Sequence, residues 1–585
     1  MIAMIQSLDI TNLTQAYASG AANPEQVLAE VAERIAARGE RPVWITLAPP
    51  ARIAAKLADN RRRQEAGETL PLYGIPFAVK DNIDVAGLPT TAACPDFAYT
   101  PARSATVVER LEAAGAVLVG KTNLDQFATG LVGTRSPYGI CASVFDPAHI
   151  SGGSSAGSAV AVAAGLVSFA LGTDTAGSGR VPAAFNNIVG LKPTKGLIST
   201  RGVVPACRSQ DCVSIFAGTV GDASEVLTVA AGFDIDDPYS RFTPGIELYR
   251  AQTTPFVFGI PSEQLEFFGD SAAAQLFDQA VDRMRRIGGT SVEIDFAPFR
   301  EAAQLLYGGP WVAERLAALR SYGFDKYDAM HPVVREIILG GERIPAVEAF
   351  EAFYKLAALT RRAEAEFRKI NVLLLPTTGT IYRIDEVLAD PIRLNSNLGL
   401  YTNFVNLMDL SAVAVPAGFR PNGLPFGVTL IGSSFNDAAV GRIAARFHEA
   451  LLSPPDPGVR LAVIGAHLSG QPLNWQLTSR NARLIGPART APGYSLYALD
   501  GTVPAKPGLV YDGIGQGLIE LEIWELGFAA FGSFVAEIPP PLGIGTVTLE
   551  DGGKVKSFLC EAHAVADADD ITVFGGWRNW LARAV

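Results

Sequence analysis

Three stretches rich in glycine and hydroxylated residues decide the fold: Ser151-Gly-Gly-Ser-Ser-Ala-Gly-Ser158, Gly172-Thr-Asp-Thr-Ala-Gly-Ser-Gly-Arg180 and Gly190-Leu-Lys-Pro-Thr-Lys-Gly196. Glycine has no Cβ and lets the backbone approach a ligand closely, while consecutive free N–H groups at a turn or helix start bind anions. A flexible Gly/Ser linker would lack the apolar runs 159–167 and 169–171 between these stretches. The pattern therefore indicates backbone packed around a ligand.

A lysine ends another apolar segment, in Gly74-Ile-Pro-Phe-Ala-Val-Lys-Asp-Asn82. Residues 72–79 are predicted to form a buried strand, which carries Lys80 into the interior. Burial lowers the pKa of an amine toward its neutral, basic form. A structural alternative is a lysine at the edge of the core that pairs with Asp81 or Asp84.

Composition excludes several classes of function. Of the 585 residues, 48% are hydrophobic and 18% charged, as in a well-packed globular protein. A formal charge of −11 without a basic patch argues against nucleic acid and anionic membrane surfaces as partners. No basic region precedes the first apolar residues and no run of about 18 apolar residues occurs, so we expect a cytoplasmic protein. Five scattered cysteines predict neither a disulfide framework nor, at Cys207 and Cys212, a zinc site.

The motifs around Lys80, Ser154 and Ser178, in this order and followed by Gly-Leu-Lys-Pro-Thr, resemble those of the amidase signature hydrolases. The resemblance implies a Ser-Ser-Lys arrangement in which Ser178 attacks, Ser154 relays the proton and neutral Lys80 is the final base. It also implies a cis peptide bond at Gly153–Ser154. A Ser-His-Asp triad is not expected, because no motif directs any histidine at Ser178: His149, His331, His448, His467 and His563.

The same resemblance implies an oxyanion hole made by the backbone N–H groups of four consecutive residues: Thr175, Ala176, Gly177 and Ser178. Three further residues are expected to support this loop: Ser155, Asp174 and Arg180. Gly130 is implied to line the substrate pocket, although on its own it would be a turn glycine. Ala156 and Ala176 stand where the family often has glycine and leave the triad intact.

Alternating elements predict the fold class. A strand at 72–79, a helix at 106–114 and a strand at 116–119 indicate an α/β fold with a mixed, mainly parallel sheet covered by helices. The resemblance implies the amidase signature fold over residues 1–455, with a helical specificity region at about 300–370. A linker is predicted at 456–460. Short apolar segments between Gly and Pro turns, Val535–Ile538 among them, predict a smaller β-rich domain at 461–585.

The segment Leu306-Tyr-Gly-Gly-Pro-Trp-Val-Ala-Glu-Arg315 and the C-terminal domain narrow the resemblance to the allophanate hydrolase branch. Pro310 is predicted in the first turn of a helix, which places Tyr307 in the preceding loop. The resemblance implies a small anionic substrate, allophanate, whose carboxylate binds Arg315 with Tyr307 as a further donor. Taken alone, Tyr307 would be a core residue and Arg315 a solvated one.

The implied reaction cleaves the terminal amide of allophanate to ammonia and N-carboxycarbamate, which loses CO₂ and yields further ammonia, in urea or cyanuric acid degradation. It implies no metal or organic cofactor, a homodimer, and functional association with a urea carboxylase. The C-terminal domain is implied to be similar to γ-glutamyl cyclotransferases, with His467 as a candidate for the decarboxylation. Two alternatives stay open: a glutaminase-type subunit of a tRNA amidotransferase, and a C-terminal domain that is only a scaffold.

Overall fold

The computed structural model describes residues 7–38, 42–242, 255–452, 458–478, 480, 482–515 and 518–583. The chain forms two compact units, Met1–Leu452 and Ser453–Val585. Of the predicted linker 456–460, residues 456 and 457 lie outside the described residues. Residues 459 and 460 already belong to a strand of the second unit.

The first unit is built on an eleven-stranded sheet with the order β1-β3-β2-β4-β6-β5-β10-β11-β9-β7-β8. Its strands are β1 Trp44–Leu47, β2 Pro76–Lys80, β3 Val117–Thr122, β4 Phe169–Asp174, β5 Val189–Lys192, β6 Cys212–Ala217, β7 Phe256–Pro261, β8 Gly289–Ile294, β9 Val372–Pro376, β10 Ser411–Phe419 and β11 Pro425–Gly432. Every residue of β2 and β4 is buried, and Phe77 stacks on Phe169 between them at 5.2 Å. Burial on both faces explains why these strands read as continuous apolar runs.

The sheet is mixed, as predicted, but it is not mainly parallel. Of its ten neighbouring pairs in the described part of the chain, four are parallel, namely β2/β3, β2/β4, β7/β8 and β7/β9. The other six are antiparallel. Short connections are one reason for antiparallel pairing. Residues 420–424, which join β10 to β11, are too few for the crossover that a parallel pair requires.

Helices cover this sheet: α1 Ile10–Ser19, α2 Pro24–Arg38, α3 Pro50–Glu65, α4 Thr106–Ala113, α5 Ala156–Ala163, α6 Val181–Phe185, α7 Val220–Ala230, α8 Ser271–Arg286, α9 Ala297–Gly308, α10 Trp311–Ser321, α11 Pro332–Leu339, α12 Ala346–Phe367, α13 Ile384–Ala389, α14 Arg393–Leu398, α15 Phe404–Leu407 and α16 Asp437–Leu452. Tyr307 lies in the last turn of α9 rather than in a loop. The prediction was wrong because only residues 309 and 310 separate the two helices, with Pro310 as the N-cap of α10.

The second unit is rich in β structure. Its strands are β12 Val459–Val463, β13 Arg483–Arg489, β14 Tyr494–Leu499, β15 Lys506–Tyr511, β16 Glu520–Leu526, β17 Leu542–Thr548, β18 Lys554–Cys560 and β19 Asp569–Asp570, in one sheet of five strands and one of three. Its helices are α17 Trp475–Thr478, α18 Phe528–Val535 and α19 Trp577–Ala582. The strand predicted at 535–538 is absent, since Val535 ends α18. The likeness to γ-glutamyl cyclotransferases stays a prediction.

No helix in the described ranges has the length and apolar character needed to cross a membrane.

Candidate active site

Lys80, at the end of β2, is fully buried and reaches the glycine-rich stretch. Its Nζ lies 2.7 Å from Ser154 Oγ and 2.7 Å from Thr173 Oγ1. Burial lowers the pKa of Lys80 to about 7, although nearby carboxylates, Asp125 first among them, oppose this shift. Lys80 pairs with neither alternative carboxylate in the described residues, because Asp81 Oδ1 lies 3.1 Å from the Nζ of Lys121 and Asp84 Oδ1 accepts from the hydroxyls of Thr90 and Tyr99. Lys80 is thus a buried amine that is partly neutral at pH 7.

Ser154 lies two residues before α5 begins at Ala156, and the Gly153–Ser154 peptide bond is cis. The carbonyl oxygen of Ser154 accepts a hydrogen bond of 3.0 Å from the Asp125 amide. A Cβ at Gly153 would collide with Asp125 Oδ2, so only glycine fits at this position. The backbone around Ser154 is therefore fixed by the segment that begins at Asp125.

Ser178 lies in the buried loop between β4 and α6 and is 2% exposed. Within the described part of the chain, its hydroxyl makes no hydrogen bond, and none joins it to Ser154. Catalytic hydrogen bonds are often long in an enzyme without substrate and tighten when substrate binds. The Lys80–Ser154 bond is thus formed here, whereas the step from Ser178 to Ser154 remains a prediction.

The loop that holds Ser178 contains the four amides predicted for the oxyanion hole. The amide of Gly177 is already taken, since it donates to Asp174 Oδ1 at 2.9 Å. None of the turn, loop and side-chain hydrogen bonds in the described ranges uses the N–H of Thr175, Ala176 or Ser178. Of the four amides predicted for the oxyanion hole, these three are free to bind a ligand.

A buried ion pair supports this loop. Asp174 accepts from Arg180 Nε and Nη2 at 2.9 Å each, and from the Gly179 amide at 3.0 Å. Burial would raise the pKa of Asp174, but the charge and hydrogen bonds of Arg180 hold it below its usual value. Arg180 also donates to the carbonyl of Thr402 at 3.2 Å. Ser155 Oγ adds a bond of 3.1 Å to the Thr173 carbonyl, so the three predicted supports all contact the loop or its strand.

The predicted carboxylate-binding residues lie together. Arg315 is 1% exposed rather than solvated, and its Nη1 donates to Thr129 Oγ1 at 3.0 Å. Its Cζ lies 5.3 Å from the centre of the Tyr307 ring, and its Nη2 lies 3.5 Å from the Tyr307 hydroxyl. Gly130, next to Thr129, has φ +153°, and a Cβ there would lie 2.7 Å from Asp125 Oδ2. Tyr307 and Arg315 are therefore in contact, and Gly130 directly follows the residue to which Arg315 donates.

Family models match both units of the chain. The model described as Amidase matches residues 26–440, and the model described as Allophanate hydrolase C-terminal domain matches residues 459–582. The chain belongs to the amidase family. In the solved structures, selenomethionine-substituted Kluyveromyces lactis allophanate hydrolase is 42% identical with a TM-score of 0.72, and the match covers 99% of each chain.

Two kinds of curated relative of this amidase match different shares of the chain. Urea amidolyase of Saccharomyces cerevisiae is 45% identical over 572 residues, which is 92% of this chain but only 31% of that protein's length. A glutamyl-tRNA(Gln) amidotransferase subunit of Lacticaseibacillus paracasei is 35% identical over 424 residues, which is 67% of this chain and 85% of that protein. The second kind matches a shorter part of the chain than the first.

Asp211, just before β6, belongs to the amidase site but was not predicted. Its carboxylate accepts from the hydroxyl of Thr175 and from the backbone amides of Ala206 and Cys207, at 2.8 and 3.2 Å. Burial raises its pKa to about 6, and the positive charge of Arg315 opposes this shift. Asp211 thus connects the oxyanion loop to the surroundings of Arg315. An isolated Asp in a loop gives no local signal of this role.

His467, the candidate in the second unit, lies on the wall of a cavity of 190 Å³. Its Nε2 lies 2.8 Å from Gln476 Oε1, and its ring stacks on Phe558 at 5.1 Å. Burial lowers the pKa of His467. Lys506 and Glu537 also line the cavity. The histidine is therefore not simply packed in the core, because it faces a space with charged walls.

Proposed function

We propose that this amidase is an allophanate hydrolase that uses Ser178 as nucleophile, Ser154 as proton relay and Lys80 as base. The arrangement that carries the proposal is a buried amine with a pKa of about 7, bonded to Ser154 at 2.7 Å. The match to allophanate hydrolase over 99% of both chains supports the substrate.

In the proposed first step, Ser178 Oγ attacks the terminal amide carbon, its proton passes to Ser154 Oγ, and the proton of Ser154 passes to Lys80 Nζ. The developing oxyanion accepts hydrogen bonds from the free amides of Thr175, Ala176 and Ser178. Lys80 then returns the proton through Ser154 to the leaving nitrogen, and ammonia departs. A water molecule then gives a proton to Lys80 through Ser154 and hydrolyses the acyl-enzyme to N-carboxycarbamate.

The substrate carboxylate is assigned to Arg315 and Tyr307, with Gly130 on the wall of the pocket. In the described ranges no carboxylate lies within ion-pair distance of Arg315, so this buried cation can bind an anionic ligand. A glutaminase-type amidotransferase subunit is the less favoured function, because the relatives of that name match 67 to 69% of this chain, whereas urea amidolyase matches 92%.

For the second unit we propose decarboxylation of N-carboxycarbamate at His467, with release of CO₂ and further ammonia. The cavity beside His467 and its charged walls support this assignment. The alternative is a scaffold in which N-carboxycarbamate loses CO₂ unaided.

We further propose a cytoplasmic homodimer that acts together with a urea carboxylase. The buried free cysteines of the chain suit a reducing compartment. The urea amidolyase relative, of which this chain spans 31%, supports the association with a second enzyme.

The test is ammonia release from the purified full-length chain with allophanate, malonamate, biuret, glutamine and a simple neutral amide. The proposal expects the highest kcat/KM on allophanate without any added partner protein. Activity only on glutamine, or only with a partner complex, would favour the amidotransferase function.

A further inference from the structure

A second guanidinium lies buried close to Arg315. Arg135 is 1% exposed, and its Nη1 donates to the carbonyl of Thr129 at 3.0 Å while its Nη2 donates to the carbonyl of Pro391 at 2.6 Å. Arg315 donates to the hydroxyl of the same Thr129. Two buried cations thus meet at one residue.

Neither cation has an anionic partner within 4.0 Å in the described ranges. The carboxylate of Asp125 is close, but it accepts the backbone amides of Val132, Gly133 and Arg135 at 2.9 to 3.1 Å. The Nε atoms of both arginines are buried without a hydrogen-bond partner. Buried like charges are costly unless an anion compensates them. This pair therefore indicates a site that is completed by an anionic ligand.

A cavity of 250 Å³ lies against Arg135. Arg135, Tyr307 and Asn395 line it, and the Tyr307 ring is the group that contacts Arg315. The Asn395 side chain uses its oxygen to accept the Leu131 amide at 2.8 Å. The remaining wall is largely apolar, which strengthens electrostatic attraction inside the cavity.

We propose that Arg135 is a second anion-binding residue, which forms with Arg315 a two-arginine site for a small carboxylate entering through this cavity. The identity of the carboxylate as the substrate's rests on the proposed function, whereas the site itself requires only a small anion. Arg315 binds the carboxylate, and Arg135 supplies the second positive charge that draws the anion past Tyr307.

The test measures binding of malonate, a small dicarboxylate, to the full-length protein by isothermal titration calorimetry. Replacing a charge-assisted partner costs roughly 1.5–3 kcal/mol, so Arg135→Gln should weaken malonate binding by about 10- to 100-fold. Arg135→Lys keeps the charge and should recover part of the affinity. Arg335→Gln, an exposed arginine of α11 that pairs with Asp328, is the matched control and should bind like the unchanged protein.

Unchanged malonate affinity in a folded Arg135→Gln protein would overturn the inference, and if that variant does not fold, unchanged affinity in Arg135→Lys would do so. The readout also separates the two proposals. Malonate binding that depends on Arg135 in a protein inactive on allophanate would refute only the proposed function. Normal allophanate turnover with no effect of Arg135→Gln on KM would refute only this inference.

Discussion

In the proposed mechanism, Lys80 carries out the proton transfer that a histidine performs in many serine hydrolases. Its two hydrogen bonds are to hydroxyls, and full burial brings its pKa from 10.5 to about 7. A neutral amine at this pKa accepts a proton at neutral pH and returns it to a leaving amine. In this proposal the base results from desolvation, and the strand β2 is needed because it ends inside the protein and buries Lys80.

The first prediction concerns the pH dependence. Because the lowered pKa of Lys80 leaves the protonated form dominant below about pH 7, kcat/KM on a neutral amide should rise with pH through about 7 and then level off. Initial rates of ammonia release between pH 5.5 and 8.5 measure it. A profile without a step near pH 7 would assign the base to another group.

The second prediction concerns the catalytic unit. Lys80→Ala and Ser178→Ala should each lower kcat by at least about 10³-fold, and the double variant should be little worse than either, because members of one catalytic unit are non-additive. Single-turnover ammonia release, with thermal melting to confirm the fold, measures it. Multiplying losses would show that Lys80 is only structural.

The third prediction concerns selectivity. Arg315→Leu should lose about 10²- to 10³-fold more kcat/KM on allophanate than on a neutral amide, since a buried charge partner contributes roughly 2–5 kcal/mol. The two substrates are compared in the same ammonia assay. Equal losses on both would mean that Arg315 supports the fold and not the carboxylate.

At the scale of single residues, the side chains that lie in local motifs are predictable from the sequence. Lys80 follows an apolar strand, and Ser154 and Ser178 lie in glycine-rich loops, so their surroundings are visible along the chain. Asp211 and Arg135 reach the site from segments without a motif, and only tertiary packing reveals their partners. The sequence also does not reveal that the amide of Gly177 donates to Asp174 Oδ1 and is therefore not free for a ligand.

At the scale of elements, the loop between β4 and α6 is held by contacts from distant segments. Thr402 Oγ1 donates to the Ala176 carbonyl at 2.6 Å, and Asn406 Nδ2 donates to the Asp174 carbonyl at 2.8 Å. The loop therefore keeps its amides in place before substrate binds, which is what oxyanion stabilisation requires.

The fourth prediction tests this close fit. Gly177 has φ +125°, and a Cβ there would lie 2.5 Å from Thr402 Oγ1. Gly177→Ala should displace the loop and lower kcat by about 10²-fold or more, as loss of oxyanion donors does. Gly67→Ala, at φ +87° with no atom within 4 Å of the added Cβ, is the control and should leave kcat unchanged. A normal kcat in Gly177→Ala would show that the loop tolerates displacement.

Elements too are predictable from the sequence where their pattern is local. The β2-α4-β3 succession was visible and forms a parallel pair, whereas the antiparallel centre of the sheet depends on which distant strands become neighbours. The sequence predicts Tyr307 in a loop because Pro310 marks the first turn of a helix, but only two residues separate α9 from α10, and Tyr307 belongs to α9.

At the scale of the whole molecule, the chain separates two sets of groups. The proposed triad and the carboxylate-binding residues all lie in the first unit, while His467 and its cavity lie in the second. The sequence predicts this division, because the short apolar segments between Gly and Pro turns after the Pro-rich segment near 455 differ from the longer helical patterns before it. This pattern predicts strands and turns and does not identify a reaction for the second unit.

The fifth prediction assigns that chemistry by timing. If His467 protonates the departing fragment or binds N-carboxycarbamate, His467→Asn should leave the first ammonia unchanged, since every proposed residue for amide cleavage belongs to the first unit. The interval between the first ammonia and the CO₂ should then be longer than in the unchanged protein, because decarboxylation proceeds unaided.

His563→Asn, which changes an exposed histidine of the same unit, is the matched control and should not alter this interval. Rapid-quench measurement of ammonia and CO₂ over one turnover gives the interval directly, and a chain ending at residue 458 should behave like His467→Asn. An interval that is the same in all of these proteins would make the second unit a scaffold.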